Sequence, residues 1–186
     1  MVARSGQELL EICNQRGISL SEYAIQMEME NSESTREEVI NKMKATLKVM
    51  IDSATEGIEK EVYSVTGLIG GDGYRVNQYL KKGETLTGTT TVMAMAMALS
   101  SSEVNASMGR IVACPTAGSC GILPAVILSA GSKLDKTEDE LVMGLFFFFS
   151  VGTIIAMNAT VSGAEGGCQA ECGSAAAMGS AAVVEM

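Results

Sequence analysis

Histidine and tryptophan are absent from the 186 residues, and proline occurs only at 115 and 124. Without imidazole there is no Ser-His-Asp or Cys-His catalysis, no imidazole metal ligand and no histidine pH switch. Any metal held here must sit on thiolate or carboxylate. Cations are scarce too: 13 Lys and Arg stand against 22 Asp and Glu, for a net charge of -9. No basic cluster exceeds the pair Lys81 and Lys82, and no Lys or Arg follows Lys136. Such a chain offers no electrostatic footprint for a nucleic acid. Strand-like alternation of useful length is also missing.

What is present is apolar and small. Hydrophobic residues make up 47% and charged ones 19%, enough to bury a core of ordinary domain size. Five cysteines, at 13, 114, 120, 168 and 172, are an odd number, and the first residues lack the basic-then-apolar pattern of a signal segment. A disulfide scaffold is disfavoured, and a reducing cytoplasmic setting is expected.

Composition changes near residue 85. Residues 1–84 hold 10 basic and 14 acidic groups, whereas 85–186 hold 3 and 8 and are filled with Ala, Gly, Met, Ser and Thr. The expectation is one domain over 1–186, with an amphipathic helical part over 1–84 and a buried core with site loops over 85–186. Ser5, Ser19 and Ser34 are followed three residues later by Glu8, Glu22 and Glu37, the capping-box spacing, which predicts three helix starts. Thr137 and Glu140 offer another. Val39, Ile40, Met43, Leu47, Met50 and Ile51 recur at helical spacing, with Lys42, Lys44 and Lys48 off that stripe. Core packing is the favoured reading of the Met-rich faces, ahead of a cofactor or partner surface.

Leu141 to Ala164 is 24 residues without a charge, a membrane span by length alone. Its polar residues, among them Asn158, Thr160 and Ser162, and the absence of any Lys or Arg after Lys136 favour a buried helix instead. The run Phe146 to Phe149 holds every Phe and must be covered by other helices or a partner subunit. The fold class read from all this is all-α.

Three segments interrupt the helical pattern with glycines and polar residues: 68–83 (LIGGDGYRVNQYLKKG), 107–125 (SMGRIVACPTAGSCGILPA) and 162–179 (SGAEGGCQAECGSAAAMG). Each is a tight turn or part of a site. In PTAGSCG, a turn running into a helix start would aim free N–H groups at one point, a cradle for a carboxylate or phosphate. A plain connection with glycines for steric reasons is the competing reading, and no Lys follows the glycines as a Walker loop would require. Cys168 and Cys172 are four apart and share a helix face. Cys114 and Cys120 from the other segment would complete four thiolates, while buried free cysteine is the bland alternative. Glu165, three after Ser162, also fits a capping box.

The stretches SMGRIVACPTAGSCGILPAV and NATVSGAEGGCQAECGSAAAM strongly resemble the α chain, or α domain, of the iron-sulfur-dependent L-serine dehydratases. The GGDGY segment and the helical N-terminal portion agree, so the likeness covers most of the chain. The resemblance implies an all-helical catalytic domain that carries a [4Fe-4S] cluster and converts L-serine to pyruvate and ammonia. It also implies a β chain as partner, an oligomeric enzyme, and neither nucleic acid nor membrane.

Carried over by motif, the cluster cysteine of GCQAE is Cys168. The family's other two cluster cysteines belong to a CDPVAG-type motif that does not occur in this sequence. The expectation is therefore an N-terminal part of a longer α subunit, with the cluster and catalysis belonging to the full-length enzyme; Cys172 and Cys120 then fall outside the ligand set. Thr116, Ala117, Gly118, Ser119 and Cys120 are expected to form a turn that holds the substrate carboxylate. Arg110 is read as either a carboxylate partner or an ion-pair partner of an acid such as Glu165. Glu165 and Glu171 are candidates for orienting the cluster or the substrate ammonium.

Overall fold

A computed structural model describes residues 2–186, and among them the regular structure is helical, with one isolated bridge between Tyr63 and Gly70. The all-α expectation holds. Nine α-helices follow in chain order: α1 Gly6–Arg16, α2 Leu20–Ser32, α3 Arg36–Glu59, α4 Asp72–Leu80, α5 Thr89–Ala106, α6 Ile122–Lys133, α7 Glu138–Asn158, α8 Gly163–Gly166 and α9 Cys168–Glu185.

Helix starts follow local chemistry. Ser5 Oγ accepts from Glu8 N at 3.1 Å and Ser19 Oγ from Glu22 N at 3.1 Å. Neither box is reciprocal, because the Glu8 carboxylate takes the Arg4 amide and that of Glu22 pairs with Arg36 at 2.7 Å. The third start is one residue later than expected. Ser34 does not cap α3; its amide donates to Met29 O and closes α2, with Glu33 in the left-handed region. Thr35 takes over, and the Glu38 carboxylate returns to the Thr35 amide (2.8 Å) and hydroxyl (2.9 Å). Thr137 and Glu140 form the second full box, as expected.

The α3 stripe packs as its spacing predicts, with Val39, Leu47 and Met50 buried and Ile40, Met43 and Ile51 half-buried against them. They meet Leu123 and Ile127 of α6, Leu145 and Phe148 of α7, and Met178 of α9 in one apolar cluster. Phe146 and Phe148 are buried, and Phe148 meets Phe149 edge-to-face at 5.2 Å. Helix α7 lies against α2 and α9, which covers the run that would otherwise be a liability. It is the one helix among the described residues long and apolar enough to cross a membrane.

Where α3, α4 and α5 meet, small residues let backbones touch. The Ser100 hydroxyl of α5 accepts from Gly57 N (2.7 Å) and donates to Ser53 O (2.6 Å), so it bridges two groups four residues apart in α3. A Cβ on Gly73 of α4 would lie 3.1 Å from Gly57 O and from Ser100 N. This junction fixes α5, whose C-terminal end carries the site.

Candidate active site

Two of the glycine-rich segments come together, and one carboxylate joins them. After Pro115, Thr116 opens a short 3-10 turn over Ala117–Ser119. Ser119 is buried, and its hydroxyl donates back to Cys114 O at 3.1 Å and Thr116 O at 3.3 Å. Asn105 at the end of α5 donates to Ala117 O at 3.1 Å, so the turn is tied to that helix. The Thr116 hydroxyl is then free to donate outward, to Glu171 Oε1 at 2.7 Å in the first turn of α9.

Glu171 lies on bare backbone. A Cβ on Gly118 would meet its Oε2 at 2.9 Å and one on Gly163 would meet it at 2.7 Å. Any side chain at either position would displace the carboxylate, so both glycines are there for close approach. Glu171 takes part in no ion pair among the described residues, and only three cations occur after Glu84. The amides of Ala117 and Gly118, at the open end of the 3-10 turn, have no acceptor among the described residues. A half-buried carboxylate and two unpaired N–H groups thus sit together, an arrangement suited to a small zwitterion.

Cys168 is the first residue of α9 and is exposed, preceded by Gly167 at φ 75°. Its side chain therefore stands at the positive, N-terminal end of the helix. Cys172 is exposed on the following turn. The four-thiolate arrangement is not found: Cys114 and Cys120 are buried, and among the described residues no group of three or more Cys, Asp or Glu is placed to hold a metal ion. Burial, reinforced by the neighbouring Cys120, pushes the Cys114 thiol up to about 12, and burial raises Cys120 as well. These two behave as small core residues. Cys120 points inward, its Sγ reaching Ser101 O at 3.7 Å, so within 116–120 it contributes packing.

Arg110 and Glu165 are not paired with one another. Arg110 is exposed beside Ala45, Thr46 and Val49 of α3, and no ion pair reaches it among the described residues. Glu165 Oε2 accepts from the Thr160 hydroxyl at 2.8 Å. Ser162 makes no side-chain cap bond, so the alternative capping box for Glu165 does not form.

The remaining glycine-rich segment, 68–83, is architectural. Glu103, nearly buried on α5, accepts from the amides of Asp72 (2.6 Å) and Gly73 (3.3 Å) and so caps α4 from a distance. Its second oxygen is buried without a partner, and desolvation raises its pKa. Glu103 was not singled out in the sequence. A lone acid in the otherwise uncharged stretch from Thr85 to Met108 is the signal that pointed to it.

The fold is all-helical, and within it the segments PTAGSCG and GAEGGCQAE meet through the Thr116–Glu171 hydrogen bond. The sequence model of the family described as "Serine dehydratase alpha chain" matches residues 15–186, and the chain belongs to that family. It is 43% identical over 182 residues to the L-serine dehydratase, alpha chain, of Peptoniphilus asaccharolyticus, covering 98% of this chain and 62% of that protein. To the probable L-serine dehydratase, alpha chain, of Bacillus subtilis it is 42% identical over 183 residues, covering 98% and 61%. With L-serine dehydratase 1 of Escherichia coli the identity is 31% over 190 residues, covering 98% and 41%. The chain thus spans about three fifths of the length of the α chains it matches. No solved structure matches it.

Proposed function

We propose that this chain forms the helical body and one wall of the active site of an iron-sulfur-dependent L-serine dehydratase. The observation that carries the proposal is the Thr116–Glu171 hydrogen bond, which joins the two motifs one turn of α9 beyond the exposed Cys168. The reaction removes a proton from Cα and hydroxide from Cβ of L-serine; the resulting enamine tautomerises and is hydrolysed to pyruvate and ammonia.

The chain's residues divide the substrate between them. Glu171 receives the ammonium, and the lack of an ion-pair partner for it among the described residues makes that contact electrostatically favourable. Ala117 and Gly118 receive the carboxylate through backbone amides, with Ser119 and Cys120 holding the turn's shape from beneath. Because the ligand carries both charges, its carboxylate is not repelled by Glu171 as a simple anion would be. Arg110 lies outside this contact and Glu165 flanks Cys168.

An exposed thiol beside two glycines fits one donor position of a cluster, and among the described residues no group of three or more Cys, Asp or Glu is placed to supply the rest. A bound cluster with an open iron supplies Lewis acidity toward the serine hydroxyl. Its remaining ligands, and the β chain of the two-chain relatives, complete the enzyme in this reading, which operates in the cytoplasm as an oligomer. Replacement Cys168→Ser in the anaerobically prepared enzyme should abolish retained iron and the cluster's visible absorption. Unchanged iron content would refute the ligand assignment.

A further inference from the structure

A cavity of about 380 Å³ lies away from this site, between α2, α3 and α7. Most of its lining is apolar and deformable, with Met27, Met43, Phe146, Phe149 and Ile154, while Asn31, Thr46 and Thr153 add polar groups. Two opposite charges stand among its lining residues, Glu28 of α2 and Lys42 of α3, and both are exposed. Neither belongs to an ion pair among the described residues; the Lys42 ammonium has a long contact, 3.4 Å, to the Ser34 hydroxyl and feels the Glu38 carboxylate one turn earlier in α3. A mostly apolar pocket whose lining holds an anion and a cation outside any ion pair matches a molecule with an apolar body and both charges at one end.

We infer that this cavity binds an apolar α-amino acid, with a branched or aromatic side chain buried among the methionines and phenylalanines, its ammonium at Glu28 and its carboxylate at Lys42. The site shares no residue with the Thr116–Glu171 cradle, so it is a second amino-acid site with the opposite side-chain preference. It also has a mechanical link to the first. Phe146 and Phe149 belong to α7, and α7 packs on α9 so closely that Gly152 leaves room only for the Met178 side chain. A ligand that repositions α7 therefore acts on the helix that carries Cys168 and Glu171.

Isothermal titration of the purified protein with L-leucine, L-phenylalanine and L-serine, alongside isoamylamine and 4-methylpentanoate, tests this. The expected result is saturable binding of leucine or phenylalanine, weaker by about ten-fold or more for the compounds that lack one charge. Glu28→Gln and Lys42→Gln are exposed changes that leave the helical circular dichroism intact, and each should weaken the apolar amino acid by a similar factor while leaving L-serine turnover in place. Absence of saturable binding, equal binding of the amine or the acid, or indifference to both substitutions would overturn the proposal. Because L-serine is titrated in parallel, failure of the serine reading appears separately.

Discussion

Glu171 takes part in no ion pair among the described residues and sits at the bottom of a cradle made by Thr116, Gly118 and Gly163. If its charge serves the ammonium of L-serine, Glu171→Gln should raise KM far more than it lowers kcat, with kcat/KM down about ten- to a hundred-fold, the value of a charged hydrogen bond. Gly163→Ala should do the same with the carboxylate intact, since its Cβ would displace it. A pure loss of kcat in both variants would assign Glu171 to the chemistry instead. Glu103 is the opposite case, a buried acid with one orphaned oxygen whose pKa lies above 4.5 through desolvation. A carboxyl that keeps its proton to higher pH when folded favours folding at low pH, and that contribution is lost as pH rises through the raised value. Glu103→Gln keeps an acceptor for the Asp72 and Gly73 amides and removes the titration. Urea midpoints of the variant should therefore fall less steeply than those of the parent as pH rises above the ordinary carboxylate range; equal slopes would exclude the effect. The sequence made Glu171 visible as a residue but not as a hub, because its partners lie 55 positions earlier, at Thr116, and in the flanking glycines.

At the scale of the helix, what was legible depended on how local the cause was. Starts at Ser5, Ser19 and Thr137 follow from neighbours within one turn, and only the choice between Ser34 and Thr35 needed the structure, because the end of α2 competes for the Ser34 amide. Crossings were not legible: Ser53, Gly57, Gly73 and Ser100 look like unremarkable small residues until α3, α4 and α5 are brought together. Gly57→Ala shows which effect wins. Alanine favours a helix interior by about 1 kcal/mol over glycine. Its Cβ here would stand 2.8 Å from both Ser100 Cα and Ser100 Oγ, forcing backbone apart and breaking the bridging hydroxyl. Overpacking costs about 1–3 kcal/mol and an orphaned buried group a similar amount, so net destabilisation of about 2 kcal/mol or more is expected in chemical unfolding. A more stable variant would mean that α3 and α5 do not touch there. Thr137→Ala, by contrast, should cost about 1 kcal/mol, the ordinary value of a helix cap, measured the same way.

For the molecule as a whole, the decisive element is α7, whose length and composition fit either a membrane span or the middle of a helical bundle. Packing separates the two readings. Val142, Leu145, Phe146 and Phe148 are buried against α2, α3, α6 and α9, and the Ser150 hydroxyl reaches Leu20 O of α2 at 3.4 Å. At the far end, Asn158 Nδ2 donates to Arg4 O at 2.8 Å and ties α7 to the first residues of the chain. Crossing a bilayer would strip these contacts and present Thr153 and Asn158 to lipid, while the nearest cations, Lys133 and Lys136, stand at one end only. The apolar interior of a bundle therefore accounts for the run better than lipid does, and burial of Phe148 alone has a large effect: Phe148→Ala should destabilise by about 3–5 kcal/mol in denaturant. A lipid-facing phenylalanine would be nearly silent in that experiment. The same distinction is accessible without mutation. After cell lysis without detergent, the protein should remain in the high-speed supernatant, and retention in the pellet until detergent is added would require α7 to leave the core and the assignment of its buried face to be withdrawn.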